Sequence, residues 1–269
     1  MALSDADLRT LAKALQSFSG GALDSRRAEM LEARLNQLAN ARGFQDLTPL
    51  FAMLREPLSA HELIEDMLNH ETSFFRDTRF FEALRAYVLP AVITKRTPLK
   101  RIRILSAGCS TGQEVYSIAM LIRDVFPGLA GWSIEVTGVD VSSKRIARAK
   151  EGVFSTHELE RGLSAALQQK FFQRDGENFR VSAAIRTLTR FYRLNLAEPW
   201  HGLFGYDVVL VRNVLIYLDD VTRSALLSHA RHALHSSGML LLGAAETLDS
   251  TKHPFQRTAW GPYSVYLPH

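Results

Sequence analysis

The sequence predicts an α/β protein in which a doubly wound, mostly parallel sheet follows a helical N-terminal region. Three observations carry this. Residues 101–125 (RIRILSAGCSTGQEVYSIAMLIRDV) read as a strand, a turn of small residues and a helix, the first βα unit of such a sheet. Residues 133–139 (SIEVTGV) read as the next strand, and the near-continuous apolar run over 206–211 (YDVVLV) as a strand covered on both faces. Every periodic segment upstream of Arg101 is helical.

Residues 4–18 open with a polar cap and two acids in the first turn, then space Leu8, Leu11 and Leu15 helically until Gly20-Gly21. Residues 25–41 form a second helix, with Leu31, Leu35 and Leu38 on its apolar face and Gly43 just beyond its end. Arg27 and Arg34 lie two turns apart on one side with Arg26 adjacent, a set that usually means a solvated face. Residues 48–54 and 59–68 continue the pattern, so about the first seventy residues predict a helical bundle. Residues 69–77 (NHETSFFRD) then place two aromatics between charges, ahead of a helix over 78–88.

The turn at residues 107–112 (AGCSTG) admits three readings. It suits a tight connection that binds nothing, because small residues favour such turns. It formally matches G-x-S-x-G, a serine nucleophile elbow, but that fold places strands before the elbow where this chain is helical. It also suits a nucleoside cofactor, with backbone N–H groups at a helix N-terminus and an acid ending the next strand to hold ribose hydroxyls. Asp140 is that acid. Cys109 reads as a small turn residue.

Residues 142–150 predict a capped helix and 152–172 short helical pieces. Residues 171–181 (FFQRDGENFRV) predict a β-hairpin turning at Asp175-Gly176. A strand over 188–194 ends at Asn195, which reads on its own as a turn residue before Glu198-Pro199-Trp200. Arg212-Asn213 falls at the carboxyl end of the strand 206–211, where such sheets bind ligands. A helix is expected over 222–234 and a strand over 239–244. Residues 255–258 and 263–266 close the chain as a hairpin through Trp260-Gly261-Pro262. His229, His232 and His235 are spaced three apart, drift around a helix and have no companion acid or cysteine, so they read as surface residues.

The 269 residues give room for one α/β domain and a small companion, with a net charge of +4. Residues 1–100 hold thirteen basic and thirteen acidic side chains, so the excess lies later in the chain and is too diffuse for a nucleic-acid footprint. A mildly basic surface favours an acidic protein partner. No stretch is long and apolar enough to cross a bilayer, and the acidic, amphipathic start is unlike a secretory signal, so a cytoplasmic protein is expected. The single cysteine excludes an internal disulfide and suits a reducing compartment.

Residues 69–77, the run 106–117 (SAGCSTGQEVYS), Asp140, Asn195-Leu196 and Arg212-Asn213-Val214-Leu215-Ile216-Tyr217 together resemble the chemotaxis receptor methyltransferases, the CheR family, over essentially the whole chain. The resemblance implies an N-terminal helical domain to about residue 90. After it comes a methyltransferase domain over 91–269 that uses S-adenosylmethionine (SAM), with a seven-stranded mostly parallel sheet and a small β-subdomain near 165–190. The implied activity is esterification of glutamate side chains on the cytoplasmic helices of chemoreceptors, for sensory adaptation. SAM is the implied cofactor and S-adenosylhomocysteine the product, with no metal.

In the family the segment before the sheet reads Asn-x-Thr-x-Phe-Phe-Arg. Thr72 and Arg76 match it, while His70 replaces the asparagine, and the resemblance implies all three as cofactor contacts. The backbone N–H groups from Ala107 to Gly112, Ala107 and Gly108 foremost, would meet the SAM carboxylate, Glu114 its ammonium, Asp140 its ribose and Asn195-Leu196 its adenine. Asn213 and Val214 are further cofactor contacts. Tyr217 would orient the methyl acceptor, and Arg76 would hold charged groups around it. The second helix, with Arg26, Arg27 and Arg34, would dock the glutamate-rich receptor helix. In some family members the β-subdomain binds a pentapeptide at the receptor C-terminus. A monomer recruited to membrane receptor arrays is expected. Two alternatives remain at the level of sequence: a catalytically silent SAM-binding adaptor, or a methyltransferase for another carboxylate.

Overall fold

A computed structural model of the chain describes residues 3–21, 23, 25–67, 71–248, 253–261 and 263–269, without the side chains of 25–27, 57 and 58. Contacts divide it into two units, Met1–His70 with Tyr217–Arg223, and Glu71–Ile216 with Ser224–His269.

The first unit is built from helices Asp5–Ser19, Ser25–Ala41, Thr48–Met53 and Pro57–Met67. Ser4 and Asp7 form a reciprocal capping box at the first, which ends on Gly20 in the left-handed region at φ 68°. Leu11, Leu15, Leu31, Leu35, Leu50, Leu63 and Ile64 are fully buried or nearly so, as their helical spacing requires.

In the second unit, strands β1 (Arg101–Ala107), β2 (Ser133–Asp140), β6 (Thr189–Arg193), β7 (Tyr206–Val211), β8 (Leu234–Leu242), β9 (Phe255–Trp260) and β10 (Tyr263–Pro268) form a sheet ordered β6-β2-β1-β7-β8-β10-β9. The first five run parallel, and β10 is antiparallel to both of its neighbours. β7 is buried at every position, which explains its unbroken apolar run. A second, antiparallel sheet joins β3 (Val153–Phe154), β5 (Asn178–Val181) and β4 (Phe172–Asp175). Its hairpin turns through Gly176 at φ 62°, as the Asp-Gly pair predicts.

Three expectations are adjusted. Residues 71–90 group with the sheet unit, because Phe80, Phe81, Leu84 and Val88 belong to its hydrophobic core. The small β-sheet begins at Val153, earlier than expected, since a two-residue strand leaves no periodicity to read. β8 begins at Leu234, so His235 lies on a strand; exposed His235, Ser236 and Ser237 hide that start.

Candidate functional site

β1 ends level with both neighbours: Ala107 is paired with Val139 of β2 and Val211 of β7. Gly108, Asp140 and Arg212 therefore emerge along one carboxyl edge, the side on which open α/β sheets bind ligands. Gly108 turns the chain at φ 78°, and a Cβ there would stand 2.5 Å from Val214 Cγ2. Only glycine permits both the conformation and the approach.

The amides of this turn point inward. Gly108 and Cys109 donate to the Val139 carbonyl at 2.8 and 2.9 Å, Ser110 to Asp140 Oδ2 at 2.8 Å, and Gly112 to the Cys109 carbonyl at 3.0 Å. The expectation that these N–H groups receive a ligand carboxylate is corrected for all four. The turn crosses the end of β2, so its donors find acceptors there first. Asp140 is buried and also accepts from the Ser142 amide at 3.0 Å.

Glu114 lies in the first turn of helix Gln113–Val125. Its Oε1 accepts from Ser106 Oγ at 2.8 Å and its Oε2 from Arg212 Nη1 at 2.5 Å. The Arg212 side chain is 3% exposed. Its Nη2 donates to the Arg76 carbonyl and to Asp77 Oδ2, both at 3.2 Å, and its guanidinium lies 3.8 Å from the Phe80 ring centroid. Burial alone would lower the Arg212 pKa, but Glu114, Tyr263 and Asp77 outweigh it and leave the pKa raised. Burial first, then Asp140 and Glu114, push the Cys109 thiol well above its ordinary value. Cys109 is therefore a protonated packing residue, and the two carboxylates lie near enough to act on it together.

The remaining sequence candidates are placed as follows. Thr72 is half-buried; Arg76 is exposed and donates Nη1 to the Glu71 carbonyl at 2.6 Å. Between them Phe74 is buried edge-on against Phe154 and Phe172, with centroids 4.9 and 5.6 Å away. Asn195 takes up turn geometry: its Oδ1 accepts from the Ala197 amide at 3.1 Å and its Nδ2 donates to Glu198 Oε1 at 3.3 Å. Leu196 is buried. Tyr217 is half-buried at the end of the short helix Leu215–Tyr217 and groups with the helical unit. Arg34 is exposed, donating Nε to the Asp66 carbonyl at 3.3 Å and Nη1 to Gln37 Oε1 at 3.2 Å. His70 and the side chains of Arg26 and Arg27 lie outside the described residues. His229 is half-buried with its ring 6.0 Å from that of Trp200, whereas His232 and His235 are exposed.

Sequence reasoning missed Glu246. Its buried carboxylate accepts the amides of Asn213, Val214, Leu215 and Gly243 at 2.7, 2.9, 2.8 and 2.9 Å. No motif marks it, because its partners lie up to 33 residues away.

The edge suits SAM in charge. Glu114 and Asp140 flank the Gly108 turn with negative charge, which suits a ligand carrying an ammonium, a sulfonium and ribose hydroxyls. Each carboxylate oxygen has more than one lone pair, so the contacts within the protein leave acceptor capacity. The buried Arg212 Nε has no partner among the described residues.

A family model described as CheR methyltransferase, SAM binding domain, matches residues 70–262. The chain is 33% identical to chemotaxis protein methyltransferase 1 of Pseudomonas aeruginosa over 272 residues, 99% of each chain. It is 30% identical to chemotaxis protein methyltransferase Cher2 of Pseudomonas putida over 99% of each. It is 31% identical to the chemotaxis protein methyltransferase of Vibrio parahaemolyticus over 98% of this chain and 97% of that one. Among solved structures, the glycopeptide N-methyltransferase MtfA complexed with SAM aligns over 68% of this chain and 65% of its own, with 17% identity and a TM-score of 0.35. With the family model covering most of its length and these relatives nearly all of it, the chain belongs to the CheR family of SAM-binding chemotaxis methyltransferases.

Proposed function

We propose that this methyltransferase esterifies glutamate side chains on the cytoplasmic helices of chemoreceptors. The observation that carries the reading is the convergence of Glu114, Asp140 and Arg212-Asn213-Val214 on one sheet edge, in a chain whose relatives are named chemotaxis protein methyltransferases. Bound at that edge, SAM supplies an electrophilic methyl group. Glu114, fixed by Ser106 and Arg212, presents its carboxylate to the ammonium, and Asp140 presents its own to the ribose. Asn213 and Val214 line the neighbouring strand end. Arg76, exposed on the segment that Phe74 anchors and bonded to the Glu71 carbonyl, provides a positive charge for a carboxylate.

A glutamate is already ionised at neutral pH, so the acceptor has no proton to surrender. The protein's task is to align and partly desolvate it, and positioning of this kind contributes ~7–11 kcal/mol to lowering a barrier. Tyr217 is assigned the hydrogen bond that orients an acceptor oxygen. The test is incubation with methyl-labelled SAM and chemoreceptor-containing membranes. Label on the receptor is expected, and label confined to small molecules would reject the receptor as substrate.

A further inference from the structure

Glu246 receives four backbone N–H groups on one carboxylate: Oε1 takes those of Val214 and Leu215, and Oε2 those of Asn213 and Gly243. The first three are consecutive amides of the turn that follows β7, and the fourth comes from the end of β8. Asn213 sits at φ 58°, a region that side chains other than glycine seldom occupy. Three successive donors converging on one point are what such a kinked turn produces, and an anion is what satisfies them. The space is cut to fit. A Cβ on Gly243 would lie 2.6 Å from Glu246 Oε2 and 3.1 Å from the Asn213 amide nitrogen. At the other end of the turn, Val214 packs against the Gly108 bend. One buried carboxylate therefore ties the ends of β8 and β7 together, and through Val214 it fixes the floor beside β1.

We propose that Glu246 is a positioning residue for SAM binding: it holds Asn213 and Val214 in the left-handed turn that presents them to the cofactor. This rests on the reading of the sheet edge as the SAM site. Glutamine at this position keeps the size but turns an NH2 group toward two of the four donors, leaving buried amides unpaired. Glu246→Gln is thus expected to weaken SAM binding about tenfold or more in calorimetry, raising the KM for SAM more than it lowers kcat. Amide hydrogen exchange should quicken at Asn213, Val214, Leu215 and Gly243 while the helical unit keeps its protection. Glu246→Asp, which retains the charge with a shorter reach, should fall between the unaltered protein and Glu246→Gln.

Gly243→Ala provides an independent arm, because it displaces the carboxylate without removing it. It should reproduce the loss of affinity even if the glutamine variant does not fold. Wild-type SAM affinity in a folded Glu246→Gln, or in Gly243→Ala, would overturn the proposal while leaving the cofactor site standing. Failure of the unaltered protein to bind SAM would overturn both.

Discussion

Arg212 shows how tightly single side chains are held at the site. A guanidinium that is 3% exposed, bonded to Glu114 and Asp77 and stacked on Phe80, is too constrained to follow a moving substrate. Its part is to fix Glu114, while Arg76 is exposed and bonded to the Glu71 carbonyl. The Asp140 carboxylate, proposed to meet the ribose, holds the amides of Ser110 and Ser142. Asp140→Ala is expected to weaken SAM binding by about 1.5–3 kcal/mol by removing a charge-assisted contact, as read by calorimetry. Tyr217→Phe should lower kcat far more than it changes SAM affinity. Equal losses in both would make Tyr217 a cofactor residue. Asp140 and Asn213 were legible as candidates because they sit next to strand ends, and Glu114 as an acid in the first turn of the helix after β1; the part of Arg212 in fixing Glu114 was not. Glu246 was not, because its meaning lies in amides of a distant turn and no local spacing announces it.

The small β-sheet bears on the site through one segment. Phe154 of β3 and Phe172 of β4 clasp Phe74, two residues before Arg76. Gly162 sits beneath the same segment at φ 141°, where a Cβ would stand 1.9 Å from the Phe74 carbonyl oxygen. Gly162→Ala should therefore cost about 1–3 kcal/mol in thermal or denaturant unfolding and weaken SAM binding as the segment shifts. Unchanged stability would show that the backbone yields there freely. In the helical unit, replacing Arg27 and Arg34 with alanine should raise the KM for receptor, make methylation less salt-sensitive and leave SAM affinity intact. Solvated-face arginines would leave receptor kinetics unchanged. Helices and buried strands were readable from period alone. The two-residue β3 and the exposed start of β8 were not, since pairing rather than pattern defines them.

At the scale of the whole molecule, the buried phenol of Tyr116 and the half-buried one of Tyr263 set a limit on the alkaline side. Burial pushes the hydroxyls of Tyr116 and Tyr263 up to about 12 from 10.0, outweighing nearby Arg186 and Arg212. Between those values the unfolded chain loses protons that the folded one keeps, so stability is full below about pH 10 and falls as pH rises toward about 12. Tyr116→Phe should flatten that decline in denaturant titrations across this range, and an unaltered slope would remove Tyr116 as a cause.

The most direct test of the account is the chemical fate and position of the transferred methyl group on the receptor. Label should map to glutamate residues of the cytoplasmic helices and leave as methanol on mild alkaline treatment, as a glutamyl methyl ester must. Base-stable label, or label on lysine, arginine or a chain terminus, would contradict it.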